Sequence, residues 1–352
     1  MIPLRRLVIT GVVAVSASMV LAACGGSSEP AAPTESPTET TSPSTSVSPS
    51  VTPSPGPGIP AGASPLSGRA GGADKPLLAV KIDNTRAAQP HAGLSAADVV
   101  FVEEVEWGLT RLIAVFSTEM PDVVGPVRSA RVSDIDILAP FGAIPFAYSG
   151  AQSRLLPVLS AADFVDASAN ANYTGWFDDP ARPAPTDHML RPEAVLGVFD
   201  DAAIARDIGW VFSQEPPAGG EPAAEATAQW GSSSVGFRWD AEAGDYVVVI
   251  DGADSRSAEG GSQRAATVVI QSVTQTDSGY GDKFGGITPA IQTVGTGTAL
   301  VLRDGRAWEV MWERPTLEEG TRYLLPDGSP MPFAIGQEWI VLLDEQRTPI
   351  VR

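Results

Sequence analysis

The chain has 352 residues, 43% of them hydrophobic, and its 42 acidic and 23 basic side chains leave a formal charge of −19. That balance argues against nucleic acid as a partner, because phosphate binding needs a surplus of Lys and Arg, and against charge-driven adsorption to anionic lipid. With one cysteine, Cys24, no internal disulfide can form.

The first residues read as an export signal. Arg5 and Arg6 precede an apolar run over 7–20, broken only by small or polar residues such as Thr10, Ser16 and Ser18, and Leu21-Ala22-Ala23-Cys24 follows. A basic start, an apolar middle and small residues at the cut make a secretory signal peptide. The run of about 14 residues is shorter than the ~20 that span hydrocarbon as a helix. Leu-Ala-Ala-Cys is a lipobox. It predicts removal of residues 1–23 and acylation of the Cys24 thiol, which anchors the chain to the outer face of the cytoplasmic membrane. The residues flanking Arg5-Arg6 fit the general secretory route better than twin-arginine export. No later apolar stretch approaches the ~18 residues of a membrane span.

Residues 24–72 are mostly Ser, Thr, Pro, Gly and Ala. Such a segment has little apolar bulk to offset the entropy of ordering, so a disordered, partly polyproline tether is expected. As a polyproline helix it reaches on the order of 150 Å, and as a random coil about 40 Å. Residues 73–213 alternate strand and helix patterns. Strands are expected at 77–82, 98–105, 110–117 and 144–149, with helices at 133–138, 153–160 and 192–208. The middle two strands are joined by the short turn Glu106-Trp107-Gly108-Leu109. Ser133 is the expected cap of its helix, with Asp134 and Asp136 in the first turn. Residues 214–231 are rich in Pro, Gly, Ala and Glu and read as a linker. In 232–352 the helical pattern stops. Strands are expected at 235–239, 246–250, 267–273, 298–303, 306–311 and 338–343, with turns at Asp304-Gly305 and Asp327-Gly328. The expected fold is an α+β or α/β N-terminal domain followed by a smaller, mainly-β C-terminal domain.

Common catalytic motifs are absent: no His-x-x-x-His, no Gly-x-x-x-x-Gly-Lys-Ser, no Gly-x-Ser-x-Gly. The two histidines, His91 and His188, are far apart in sequence, and neither a metal nor a cofactor is expected. One segment reverses the acidic background. Gly125-Pro126-Val127-Arg128-Ser129-Ala130-Arg131 carries two arginines, and Arg111 begins a strand just upstream. Guanidinium groups bind phosphate or carboxylate through fixed pairs of donors. A segment entering a helix can add backbone N–H groups. Arg111, Arg128 and Arg131 are therefore candidate anion ligands, with Asp83, Asn84, Glu104 and Glu106 as candidate polar partners. The competing expectation is internal pairing with the neighbouring glutamates. By strand alternation Glu104 and Glu106 share one face and Glu103 takes the other.

Residues from about 77 to 152 closely resemble the YerB-like lipoproteins. The matching text is Val80-Lys81-Ile82-Asp83-Asn84, Gly93 to Val100, Glu103 to Glu106, Thr110-Arg111 and, most specifically, Val124 through Arg131. The resemblance resumes from about Thr267 to Leu343, with Val294-Gly295-Thr296-Gly297 and Gly336-Gln337-Glu338-Trp339. Where the family shows Pro-His-Asn, this chain has Asp187-His188-Met189, which leaves His188 without an implied role. The resemblance implies a two-domain cell-envelope lipoprotein and names no reaction. Two functions are compatible with it. One is a binding module for a cell-wall polymer, another phosphate-bearing envelope ligand or an exported protein. The other is an enzyme on polyprenyl-pyrophosphate-linked glycopolymer, since a strand, an arginine motif and a helix resemble the LytR-type ligases in pattern, with Asp83 and Asp98 as possible metal ligands. An apolar tunnel ending at the arginines is expected for the enzyme, and a shallow groove for the binder.

Overall fold

Runs of Val, Ile and Leu bounded by turn residues become the strands of one large sheet. The computed structural model describes residues 58–199 and 201–352; the signal peptide, Cys24 and residues 24–57 of the expected tether lie outside them. The strands used below are β1 (Leu78–Asp83), β2 (Val99–Glu104), β3 (Thr110–Phe116), β4 (Pro145–Ala147), β5 (Glu225–Gln229), β6 (Ser234–Asp240), β7 (Asp245–Ile250), β8 (Thr267–Val273), β9 (Gln275–Gly281), β10 (Ile287–Ile291), β11 (Gly295–Arg303), β12 (Arg306–Arg314) and β13 (Glu338–Asp344). Helix α1 spans Ser133–Leu138. The first half mixes strands with short helices and the second is almost entirely strands, as the patterns predict.

The central sheet has eleven strands, and its order runs β12-β11-β8-β13-β2-β3-β1-β4 through the middle. Strands β2 and β13 pair in parallel, Val99 to Val102 against Glu338 to Val341, so one sheet crosses from the first half into the second. Both are buried on both faces, which explains their unbroken apolar runs. A six-stranded sheet containing β5, β6 and β7 covers one face. Val100, Val102, Leu112, Phe237, Val248 and Trp339 fill that interface. The other face is covered by α1, short helices and loops over Ile113, Val115, Ile137, Phe146, Val301 and Ile340. Between β11 and β12 the turn Asp304-Gly305 has φ of 50° and 69°, the left-handed pair a two-residue hairpin needs.

Several local expectations change. Residues 58–72 are not tether: Leu66 is fully buried against the core holding Phe212, and Gly58 N–H bonds the Phe212 carbonyl. Burial of Leu66 contributes about 1.5–3 kcal/mol, and bonds from Ser67 to Asp98 and from Arg69 to the Ala96 and Ala97 carbonyls add to it. The 214–231 stretch is not a plain linker. Ala226 and Ala228 of β5 alternate inward, and Glu221–Pro222 pairs with β12. The helix expected over 192–208 stops at Leu196, before Gly197, and the one over 153–160 shrinks to Leu156–Leu159. Ser133 does not cap α1; its hydroxyl donates to Glu103 Oε2 at 2.5 Å.

Candidate functional site

The strand ends of β1, β2 and β3 place their last charged residues together. Asp83 and Glu103 both sit opposite Arg111 in register, and Lys81 lies two residues back on β1. By alternation these side chains share the face that carries Ala79, Ile113 and α1. The 127–131 segment crosses the same face. Ile82 bridges Val127, and Arg128 N–H bonds the Lys81 carbonyl at 2.8 Å.

At the deepest level, Lys81, Glu103 and Asp134 form a fully buried ionic cluster. Lys81 Nζ contacts Glu103 and lies 2.6 Å from Asp134 Oδ1. Two carboxylates against one ammonium leave an excess negative charge in a dry site. Burial, against the opposing pull of Lys81, pushes Asp134 up to about 7, so it can hold a proton and neutralise the cluster. Its Oδ2 accepts the Arg131 N–H at 2.7 Å, so that amide is already occupied and unavailable to an anion.

Above this cluster lie the three arginines. Arg131 forms a two-bond fork with Glu106: Nε to Oε1 and Nη2 to Oε2, both 2.7 Å. The Thr288 hydroxyl adds a third bond to Glu106. Burial alone would raise Glu106, but the Arg131 bonds and charge, with Thr288, hold it below the usual carboxylate range. The same partner lifts Arg131 against its own burial. Arg111 and Arg128 share Asp83. Arg111 Nη1 is 3.5 Å from Oδ1, and Arg128 Nε is 3.2 Å from Oδ2 without the alignment of a hydrogen bond. Burial, with the charges of Arg128 and Arg131 nearby, lowers Arg111 despite Asp83. The Nε atoms of Arg111 and Arg128 are buried with no hydrogen-bond partner. Three guanidiniums thus face two carboxylates. Arg128 is the most exposed, at 23% of its side chain.

The predicted polar partners divide between the two faces. Asp83 and Glu106 join the arginines. Asn84 and Glu104 lie on the opposite face, where Asn84 bonds the Thr110 hydroxyl at 2.8 Å and Glu104 faces Arg347 at 3.7 Å. Glu106 breaks the expected alternation because β2 ends at Glu104. The following turn, with Trp107 at φ 66° and Gly108 at 67°, swings Glu106 back to the arginine side. Asp98 cannot join Asp83 in binding a metal. β1 and β2 run parallel on either side of β3, so Asp83 ends one and Asp98 precedes the other at the far edge. There Asp98 accepts from Ser117 and Thr118. His91 is fully buried, and burial pushes its imidazole down; its Nε2 donates to the Asp83 carbonyl at 2.7 Å. His188 pairs with Asp178 at 2.7 Å through Nδ1.

A cleft of about 440 Å3 opens beside the Arg131–Glu106 fork. Its other wall comes from the β9–β10 hairpin, through Tyr280, Asp282, Lys283 and Thr288. This wall is not legible in the sequence, because Gln275-Thr276-Asp277-Ser278-Gly279 has no apolar alternation to mark a strand. The only available hint was an unexplained Trp107 in a Glu-Trp-Gly turn; its indole donates to Asp282 at 2.9 Å. A second cavity, about 630 Å3 and largely apolar, lies on the opposite face along β8, β11 and β12.

Comparison with known proteins agrees with the fold. The family model described as "Protein of unknown function (DUF3048) N-terminal domain" matches residues 65–205, and the corresponding C-terminal domain model matches 226–340. A Bacillus subtilis (strain 168) protein named "Putative lipoprotein YerB" is 26% identical over 286 residues, covering 76% of this chain and 81% of its own. The crystal structure of YerB from Bacillus subtilis superposes with a TM-score of 0.69 at 21% identity, over 82% of this chain and 99% of the other. At that identity the match speaks for the fold.

Proposed function

The chain belongs to the DUF3048 family, in both its N-terminal and its C-terminal domain, and from that premise we propose that it is a lipid-anchored module on the outer face of the cytoplasmic membrane that binds a phosphate-bearing envelope ligand at Arg111, Arg128 and Arg131. The name of the Bacillus relative supports the lipoprotein part, and the lipobox at Cys24 supplies the acyl acceptor. One observation carries the binding part. In a chain of net charge −19, three guanidiniums converge on two carboxylates, and two of their Nε–H groups are buried without an acceptor. A phosphate oxygen would satisfy such donors.

The binding reading is favoured over the glycopolymer ligase by where the cavities lie. The cleft that reaches Arg131 is lined mainly by polar side chains, and the apolar groove is on the other side of the sheet. Titration with inorganic pyrophosphate tests the site. Arg128→Ala should weaken binding by about 1.5–3 kcal/mol, roughly 10- to 150-fold, the range for charge-assisted hydrogen bonds. Equal affinity in wild type and variant would refute it. The anchor is tested separately: Cys24→Ala should abolish lipid labelling and release the protein from the membrane.

A further inference from the structure

We infer that the cleft between the Arg131–Glu106 fork and the β9–β10 hairpin is a subsite for an uncharged saccharide, adjacent to the anion site and resting on that reading for its place in a larger ligand. Its formal charges balance, Arg131 and Lys283 against Glu106 and Asp282. Arg131 is forked to Glu106, and Lys283 and Asp282 are neighbours on the hairpin. A phosphate gains nothing from such a wall, whereas hydroxyl groups, each donor and acceptor, match it. Gln152 also lines the cleft, and its Oε1 is buried without a partner, an acceptor waiting for a donor. The volume of about 440 Å3 lies within the ~300–1,000 Å3 of small-molecule sites.

The rim supplies the second half of sugar recognition. Trp107, Phe284 and Ile287 are 55%, 75% and 57% exposed and lie in or beside the two turns that flank the cleft. Large apolar side chains left in water together mark a contact surface. The C–H face of a pyranose stacks on an aromatic ring, while its hydroxyls turn to the polar wall. Trp107 is held for this use: its indole is fixed by Asp282, and its φ of 66° is a strained position for a bulky residue. Arg131 belongs both to the arginine cluster and to the cleft wall, so one glycan phosphate would engage both.

The test uses phosphate-free oligosaccharides: tetramers of β-1,4-N-acetylglucosamine, β-glucan, α-glucan and mannan, titrated into the soluble chain while Trp fluorescence is followed. At least one should bind saturably. Gln152→Ala and Phe284→Ser should each weaken it about tenfold or more. Phe284→Ser removes an exposed ring and should leave the melting temperature unchanged. Arg128→Ala should leave sugar binding intact while lowering pyrophosphate binding. Failure of all four sugars, or equal binding by Gln152→Ala and Phe284→Ser, overturns the saccharide subsite. Loss of pyrophosphate sensitivity alone would instead remove the anion site and leave this one standing.

Discussion

Replacing Arg131 and Arg128 one at a time by Ala should have very unequal effects on stability. Arg131 is bonded to Glu106 by two 2.7 Å bonds, and their side chains are 17% and 7% exposed. Its removal leaves Glu106 with Thr288 as its remaining side-chain donor. Breaking a buried pair costs about 3–5 kcal/mol. Here the adjoining cleft lets water reach the stranded carboxylate, so a loss of roughly 2–4 kcal/mol is expected. Arg128 holds Asp83 without an aligned bond and keeps 23% of its side chain in solvent. Its removal should cost about 0–1 kcal/mol. For a folded unit of about 295 residues, unfolding entropy near 2.1 cal/mol/K per residue converts the Arg131 loss into a fall in Tm of about 3–6 °C, against under ~2 °C for Arg128. Calorimetric melts of the two variants, with urea titration as a check, measure the difference. Equal shifts in both would refute the view that Arg131 is scaffold and ligand at once while Arg128 is available to a ligand.

The buried cluster predicts a pH dependence. Asp134 is raised to about 7 in the fold from an ordinary value near 3.8, so the native state holds a proton the unfolded chain has lost; its stabilising contribution is full below about 4 and is lost as pH rises through 7. Asp134→Asn should therefore gain stability over wild type between pH 6.5 and 8; a wild-type-minus-variant difference that does not change with pH over that window would count against the shared proton. Glu338 is fully buried, its carboxylate oxygens lack aligned partners, and burial raises it well above the usual range, so Glu338→Gln should melt within about 1 kcal/mol of wild type at neutral pH. Limited proteolysis should spare 221–229, because β5 is paired on both sides and Glu221–Pro222 pairs with β12; early cleavage within 225–229 would show that β5 opens on its own.

Much of the sheet was legible because its strands carry their own signal. The runs at 77–82, 110–117, 267–273 and 338–343 are β-branched and apolar, and the structure places a strand within a residue or so of each. What joins them was not legible. The pairing of β2 with β13 links residues some 240 positions apart, and no local pattern encodes it. Linker-like composition misled at 214–231 for a related reason. Alanines at alternating positions can line a core while contributing too little hydrophobicity to announce a strand.

The site was half legible, and the division follows from one turn. Arginine spacing in an acidic chain pointed to Arg111, Arg128 and Arg131, and strand periodicity correctly put Glu103 and Glu104 on opposite faces. Extending that period to Glu106 assumed that the strand continued. A left-handed residue at Trp107 ends the period, and Glu106 becomes the partner of Arg131 instead of a neighbour of Glu104. The same turn exposes the Trp107 ring and lets Asp282 fix its indole, which brings a hairpin from the second half against a motif from the first. The strained turn therefore determines both which arginine is locked into the scaffold and where the cleft opens. The expectation of internal pairing holds for Arg131, which is forked to Glu106. Arg128, held to Asp83 without an aligned bond and 23% exposed, is the arginine on which the proposed binding of a ligand depends.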